Sequence, residues 1–117
     1  MGGKSATRKG NRYNHEVVQF LKGCGWDGAE RLVAGESADR GDVTGVDGWV
    51  IECKNHKTLR FGEWCDELPA KIKAAGARHG VVIAKRARRE TYESYAVMPL
   101  HSFIYLIQKE QSWNRTI

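Results

Sequence analysis

Cysteine, proline and long apolar runs are all scarce in this chain of 117 residues. The three cysteines, Cys24, Cys53 and Cys65, are odd in number and form no Cys-x-x-Cys pair, which disfavours a disulfide framework and a zinc ribbon. No apolar run approaches the ~18 residues of a membrane span or the shorter core of a signal peptide. We therefore expect a soluble, cytoplasmic protein that does not contact a membrane.

The length is enough for one domain and too short for two. A domain of this size buries roughly two-thirds of its unfolded surface, so it needs neither a metal nor a disulfide in order to fold. Residues 1–10 have no periodic apolar positions and are predicted to form a flexible basic N-terminal arm. Residues 11–117 are predicted to form the single domain.

The charge is concentrated in two segments. The net charge is +5, and residues 1–12 and 85–89 each carry four cationic side chains and no acidic one. Such segments on an otherwise slightly acidic chain suit a polyanion, most often nucleic acid, although solvated surface charge would give the same pattern. The candidate phosphate contacts in these segments are Arg8, Lys9, Arg12, Lys85, Arg86, Arg88 and Arg89.

Periodicity predicts a mixed α/β architecture. A helix begins at an Asn11 N-cap and ends near Gly23, and three strands follow, at 30–33, 43–46 and 49–54. A helical stretch over 60–75 is interrupted by Pro69, which we expect in the first turn of a second helix. Strands at 81–84 and 95–98 and a final helix from Leu100 complete a central mixed sheet flanked by helices.

The strands around Asp47-Gly48 carry the candidate catalytic residues. Glu52 and Lys54 share a strand face because side chains alternate. Asp42 joins them only if Val46-Asp47-Gly48 forms a three-residue loop with Gly48 in the left-handed conformation, or if the strand breaks near Asp42. A two-residue turn would place Asp42 on the opposite face. We predict the bulged loop.

Two carboxylates at neighbouring strand positions indicate a cation between them. Oxygen ligands suit Mg²⁺, for which Mn²⁺ can substitute. Lys54 could then orient a water molecule or neutralise charge on a phosphate. A metal ion and a lysine in this arrangement are the groups that phosphodiester hydrolysis requires. Glu16 lies at the rim of the first helix's apolar stripe, where it either reaches this site or pairs with Arg12.

Asp42 followed by Glu52-Cys53-Lys54 resembles the PD-(D/E)xK nuclease superfamily, with Gly41 in place of the motif's proline. The run Gly10 to Glu16, then Gly25-Trp26, Arg31 and Ser37, is similar to archaeal-type and phage Holliday junction resolvases. The resemblance spans residues 9 to 86. It implies a restriction-endonuclease-like fold and a cytoplasmic location, whether the enzyme is nucleoid-associated or phage-encoded.

By matching motif, the resemblance makes Glu16, Asp42 and Glu52 metal ligands and Lys54 a catalytic residue. It adds the Cys53 backbone carbonyl as a further ligand and Arg31 and Ser37 as DNA contacts. It implies a homodimer that resolves four-way DNA junctions in recombination and repair. The alternatives are a restriction, repair or nicking nuclease of the same superfamily, and a non-catalytic DNA-binding module on the same scaffold.

The remaining candidates have simpler explanations. Cys53, His56 and Cys65 could be named as zinc ligands, but Cys53 should point to the face opposite Glu52. Cys24 and Cys65 are expected in the core. Trp49 and Trp64 are expected to pack rather than to stack on bases, while the sequence leaves the roles of Trp26 and Trp113 open.

Overall fold

A computed structural model describes the backbone of residues 2–33 and 40–116 and the side chains of residues 8–33 and 40–112. The strands are β1 (Glu30–Arg31), β2 (Val43–Thr44), β3 (Trp49–Lys54), β4 (His79–Ala84) and β5 (Tyr95–Val97). The helices are α1 (Gly2–Gly23), α2 (Phe61–Asp66), α3 (Leu68–Ala75) and α4 (Leu100–Thr116), with a 3₁₀ turn at Thr91–Glu93. Across the described residues, no helix has the length and apolar character that a membrane span requires.

The five strands form one mixed sheet in the order β1-β2-β3-β4-β5. Strands β3 and β4 are parallel, and the other neighbouring pairs are antiparallel. The connection between the parallel strands runs through α2 and α3, as a parallel pair requires. The predicted mixed α/β class is therefore confirmed.

Helices cover both faces of the sheet, and β3 shows how the sequence achieves this. Ile51 and Cys53 pack in a cluster with Tyr13 and Val17 of α1. Val50 instead packs with Trp64 of α2 and with other residues of the α2/α3 side. Because strand side chains alternate, Glu52 shares the Val50 face and points towards α2 and α3. The predicted opposition of Cys53 and Glu52 is confirmed.

Pro69 lies in the first turn of α3, and α2 ends three residues before it, so the predicted division into two helices is correct. Proline fits there because the N–H groups in the first turn of a helix have no acceptor within the helix, so no hydrogen bond is lost. Gly76, with a left-handed φ of 65°, ends α3.

Two predictions in this region were wrong. Helix α1 begins at Gly2 and includes residues 2–10, the predicted arm, so Asn11 is not its N-cap. Cys24, which follows the helix and was predicted in the core, is exposed. Strand β1 also ends at Arg31, two residues before the predicted boundary at Val33.

Candidate active site

The β2–β3 turn has the predicted geometry. Val43 pairs with Ile51, a register that places Gly45 opposite Trp49 and Asp42 opposite Glu52. The N–H of Trp49 donates to the Val46 carbonyl at 3.1 Å, and Gly48 has a φ of 82°. This left-handed conformation is the one that a three-residue bulged loop requires, and glycine adopts it without steric cost.

The backbone ladder distorts at Asp42, immediately before β2 begins. The N–H of Asp42 donates to the Ile51 carbonyl at 2.8 Å, while the Asp42 carboxylate accepts the N–H of Cys53 at 2.8 Å. The side chain of Asp42 therefore replaces a backbone acceptor and is fixed against β3. The structure contains both features that were predicted to bring Asp42 to the face of Glu52, namely the bulged loop and the break in the strand.

Gly41 makes this distortion possible. Its φ is 95°, and an added Cβ would lie 2.9 Å from Val50 Cγ1 and 3.0 Å from the Ile51 carbonyl oxygen. Proline, whose ring fixes φ near −65°, cannot adopt this backbone. Glycine at position 41 is thus required by the local conformation.

Glu52 is the most enclosed charged group of the site, with 4% of its surface exposed. Lys54 Nζ lies 3.7 Å from Glu52 Oε2, as their shared strand face predicts. Lys71 Nζ, from α3, lies 3.8 Å from Glu52 Oε1. Glu52 Oε1 is buried and accepts no hydrogen bond from any described residue.

Burial governs the electrostatics of both carboxylates. Burial, followed by the charge of Asp42, raises the pKa of Glu52 to about 7, and the nearby Lys71 and Lys54 oppose the shift. Burial also raises the pKa of Asp42, against the Cys53 hydrogen bond and the two lysines. Both carboxylates are therefore costly to ionise in the absence of a further cation.

These features fit a hard divalent cation at Asp42 and Glu52. Glu52 Oε1 is buried without a hydrogen bond, although it lies 3.8 Å from the Lys71 ammonium, and a further positive charge would relieve both this and the mutual repulsion of the two carboxylates. Mg²⁺ usually keeps several waters and takes one or two carboxylates. Among the described side chains, no group of three or more His, Cys, Asp or Glu residues is arranged as a metal cluster.

The Cys53 carbonyl remains available to the same site. The N–H and C=O of a strand residue point towards the same neighbouring strand. The Cys53 N–H donates to Asp42, whereas the Lys54 carbonyl accepts from Lys85 of the segment after β4. The carbonyl of Cys53 therefore points towards the β2 side, where Asp42 lies.

Glu16 forms an ion pair with a lysine that follows β4. Its Oε2 lies 3.5 Å from Lys85 Nζ, so the ion pair that the structure shows is with Lys85 and not with Arg12. Lys85 Nζ also lies over the Tyr13 ring, 5.4 Å from its centroid. Glu16 thus belongs to the α1 side of the sheet, and its predicted role as a ligand stays a prediction.

Two residues at this site were not anticipated from sequence patterns. Lys71 lies one turn after the buried Leu68, and that i, i+3 relationship is the signal that could have placed it above the sheet. Glu67, between α2 and α3, places Oε1 3.8 Å from Lys54 Nζ. The Lys54 ammonium is therefore held between Glu52 and Glu67, with the Trp64 ring centroid 5.7 Å away.

The zinc alternative fails, because Cys53, His56 and Cys65 do not form a metal cluster in the described part of the chain. Cys53 is buried on the α1 face. Trp49 and Trp64 pack in the core clusters, as predicted, and Trp26 is 44% exposed. The side chain of Trp113 lies outside the described residues.

The predicted DNA contacts fall into separate groups. Arg8, Lys9 and Arg12 are exposed on α1, and Arg31 is exposed on the edge strand β1. Lys85, Arg86, Arg88 and Arg89 line a groove beyond the end of β4. Ser37 lies outside the described residues.

His56 connects the α1 group to the active site. Its pKa is lowered by burial and then by the charges of Lys54, Lys9 and Arg60. Lys9 of the first basic segment is therefore close enough to influence a residue two positions after the catalytic lysine candidate. His56 also lines the groove of the second basic segment.

Comparison with protein families, curated proteins and solved structures finds no match to this chain.

Proposed function

We propose that this protein is a divalent-metal-dependent DNA endonuclease of the PD-(D/E)xK type, with a restriction-endonuclease-like fold and branched DNA as its substrate. The observation that carries the proposal is the convergence of Asp42, Glu52 and Lys54 through the β2–β3 register and the distortion at Asp42. An ordinary Glu-x-Lys pair on a strand surface would be solvated, whereas Glu52 is buried and its Oε1 accepts no hydrogen bond from any described residue.

Asp42 and Glu52 would hold Mg²⁺ or Mn²⁺, with the Cys53 carbonyl as a further oxygen ligand. When bound, such an ion supplies Lewis-acid stabilisation of the charge that develops on a phosphate. The Cys53 N–H keeps the Asp42 carboxylate oriented, which a reactive geometry requires. Glu16 would need to leave Lys85 in order to contribute a third carboxylate.

Lys54 would act on the reacting groups. Its ammonium can donate to an attacking water or to a phosphate oxygen and so stabilise negative charge in the transition state. Glu52 and Glu67 hold that ammonium at 3.7 and 3.8 Å, which limits its orientations before substrate binds. Lys71 supplies a second positive charge at the same carboxylate.

The branched substrate and the homodimer are proposed from the resemblance to junction resolvases. Two features support an extended nucleic-acid contact: the exposed cationic face of α1 and the groove at Lys85–Arg89. Exposed apolar side chains on α4, among them Leu100 and Phe103, supply surface for a subunit contact. Sedimentation equilibrium would measure the oligomeric state directly.

The test is cleavage of a synthetic four-way junction, a linear duplex and a single strand, each with Mg²⁺ and with EDTA. Metal-dependent cutting that favours the junction is the expected result. Equal cutting of the duplex would replace the resolvase with a restriction, repair or nicking nuclease. Tight binding without cutting in Mg²⁺ or Mn²⁺ would leave a non-catalytic DNA-binding module.

A further inference from the structure

A groove of about 600 Å³ opens beyond the carboxyl ends of β3 and β4. Its cationic lining consists of Lys57 and the four basic residues of 85–89, and its uncharged lining includes Leu59 and Tyr95. The Lys85 N–H donates to the Lys54 carbonyl at 2.9 Å. The groove is therefore joined by backbone contact to the strand end that carries the catalytic lysine candidate.

A row of rings supports one wall of this groove. The ring of Tyr95 meets Phe61 edge-on, with centroids 5.7 Å apart, and Phe61 meets the buried Trp64 at 5.7 Å. The Tyr95 ring is thus fixed from behind while 40% of the residue stays exposed. Arg86 places its guanidinium carbon 4.9 Å from the centroid of the same ring. The Tyr95 ring and the guanidinium that lies over it therefore form one stacked pair in the wall of the groove, which we call the Tyr95–Arg86 platform.

The cations around this platform are only partly neutralised. Lys85 pairs with Glu16, and Arg89 pairs with Glu93 at 2.9 Å. Within the described side chains, Lys57 and Arg88 form no ion pair. Arg88 also has a left-handed φ of 60°, which is uncommon for a residue with a side chain and is frequent at ligand-binding sites.

An exposed aromatic ring among cationic side chains suits a different ligand from the one that a cationic surface alone would suit. Phosphates need only the charges, and a duplex hides the faces of its bases within its own stack. An unpaired base offers a free π face that stacks on tyrosine or on an arginine plane, whatever its sequence. A Tyr95–Arg86 platform inside a basic groove matches the second kind of ligand.

We propose that this groove binds an unpaired nucleotide of a DNA strand, with its base stacked on the Tyr95–Arg86 platform and its flanking phosphates on Lys57 and Arg88. The proposal rests on the proposed function in that the strand would continue to the Asp42–Glu52 site. It adds a requirement: the preferred DNA has at least one base outside a duplex, such as at a branch point.

The experiment measures binding by fluorescence anisotropy in EDTA, where cleavage does not contribute. The three probes are an oligothymidylate of about 12 nucleotides, an abasic strand of the same length and charge, and the corresponding duplex. We expect the oligothymidylate to bind about tenfold more tightly than the abasic strand, the range that stacking of one base supplies.

Tyr95→Ala should reduce this preference to near unity. Tyr95→Phe should retain it, because stacking uses the aromatic ring of this residue and not its hydroxyl. Arg86→Lys, which keeps the charge and loses the planar group, should reduce it in part. Tyr92→Ala is the matched control, since Tyr92 is 70% exposed and does not line the groove. Thermal melting confirms that each variant is folded.

Equal affinity for the oligothymidylate and the abasic strand would overturn the proposal, as would a preference that Tyr95→Ala and Arg86→Lys both leave unchanged. Cleavage in Mg²⁺ is a separate readout. A Tyr95-dependent preference in a protein that never cuts DNA would support the groove and overturn only the nuclease.

Discussion

The carboxylate of Asp42 accepts the backbone N–H of Cys53 at 2.8 Å and so bridges the residue before β2 to the penultimate residue of β3. One side chain thus has two roles, since it completes the backbone hydrogen bonding of the strand and places a negative charge that raises the pKa of Glu52. The two roles can be separated by substitution.

Asp42→Asn keeps an oxygen that can accept the Cys53 N–H and removes the charge. We expect it to abolish cutting, to retain most junction binding and to remain close to the parent in stability. Asp42→Ala should also abolish cutting and should lose about 1–3 kcal/mol of stability, because the Cys53 N–H is left without its acceptor. Cleavage assays and urea unfolding measure the two effects. Parent-rate cleavage by Asp42→Asn would remove Asp42 from the catalytic group.

Lys54→Ala should lower the cleavage rate by about 10²–10³-fold, the usual cost of removing one transition-state charge stabiliser. Junction binding in EDTA should change little, because Lys54 is one charge among many. Lys73→Ala, an exposed lysine on α3, is the matched control and should cut at the parent rate. A Lys54→Ala variant as active as this control would contradict the assignment.

Glu52 should make stability depend on pH in EDTA. Its pKa rises from 4.5 to about 7 on folding, so the folded protein binds this proton more tightly than the unfolded chain. The free energy of unfolding should therefore fall as pH rises between those values, by about 3 kcal/mol at full extent. Asp42 and Glu67 face Glu52 with the same sign, and Lys54 and Lys71 with the opposite sign.

Glu52→Gln should remove this part of the pH dependence, and urea unfolding at a series of pH values measures the difference between the two proteins. A difference that is constant from pH 4 to pH 8 would show that Glu52 titrates normally.

Lys71 should couple to Glu52 in a double-mutant cycle. Lys71→Met leaves the buried carboxylate with one cation fewer and should destabilise the protein, whereas the same substitution in Glu52→Gln should cost less. We expect a coupling free energy of about 1–2 kcal/mol above pH 8, from the usual range for residues in contact. Additive effects would show that the 3.8 Å contact between Lys71 and Glu52 contributes no coupling free energy.

Replacing Arg88 and Arg89 with alanine should weaken junction binding and flatten its dependence on salt, by about one unit of slope for each phosphate that is no longer neutralised. Arg88 should account for most of the effect, because Arg89 is paired with Glu93. Lys109→Ala, on the exposed surface of α4, serves as the control. An unchanged slope in the double variant would remove this loop from the DNA interface.

The sequence predicted the centre of the molecule better than its ends. Alternation and the glycine at position 48 left two registers of β2 and β3 open, and the correct one was chosen because it brings Asp42 to the face that carries Glu52 and Lys54. The start of α1 could not be predicted in this way, because residues 2–10 lack apolar positions and so give no periodic signal. A helical segment without periodic apolar residues has no apolar stripe from which its start can be inferred.

Lys71 shows a different limit. Its place on a helix was predictable, but its contact with Glu52 depends on how α3 crosses the sheet, which no local pattern encodes. The position of Glu16 depends in the same way on the packing of α1, which brings its carboxylate to Lys85. Pairs within one hairpin can be derived from spacing, whereas pairs between elements require the packed structure.

The left-handed backbone of Gly41 restricts which residues this position can hold. A proline here would need the opposite sign of φ, so it could not replace glycine while the approach to β2 keeps its path. Any other side chain would meet Val50 and the Ile51 carbonyl oxygen, so a substitution at Gly41 should displace the neighbouring Asp42 although it changes no charged group.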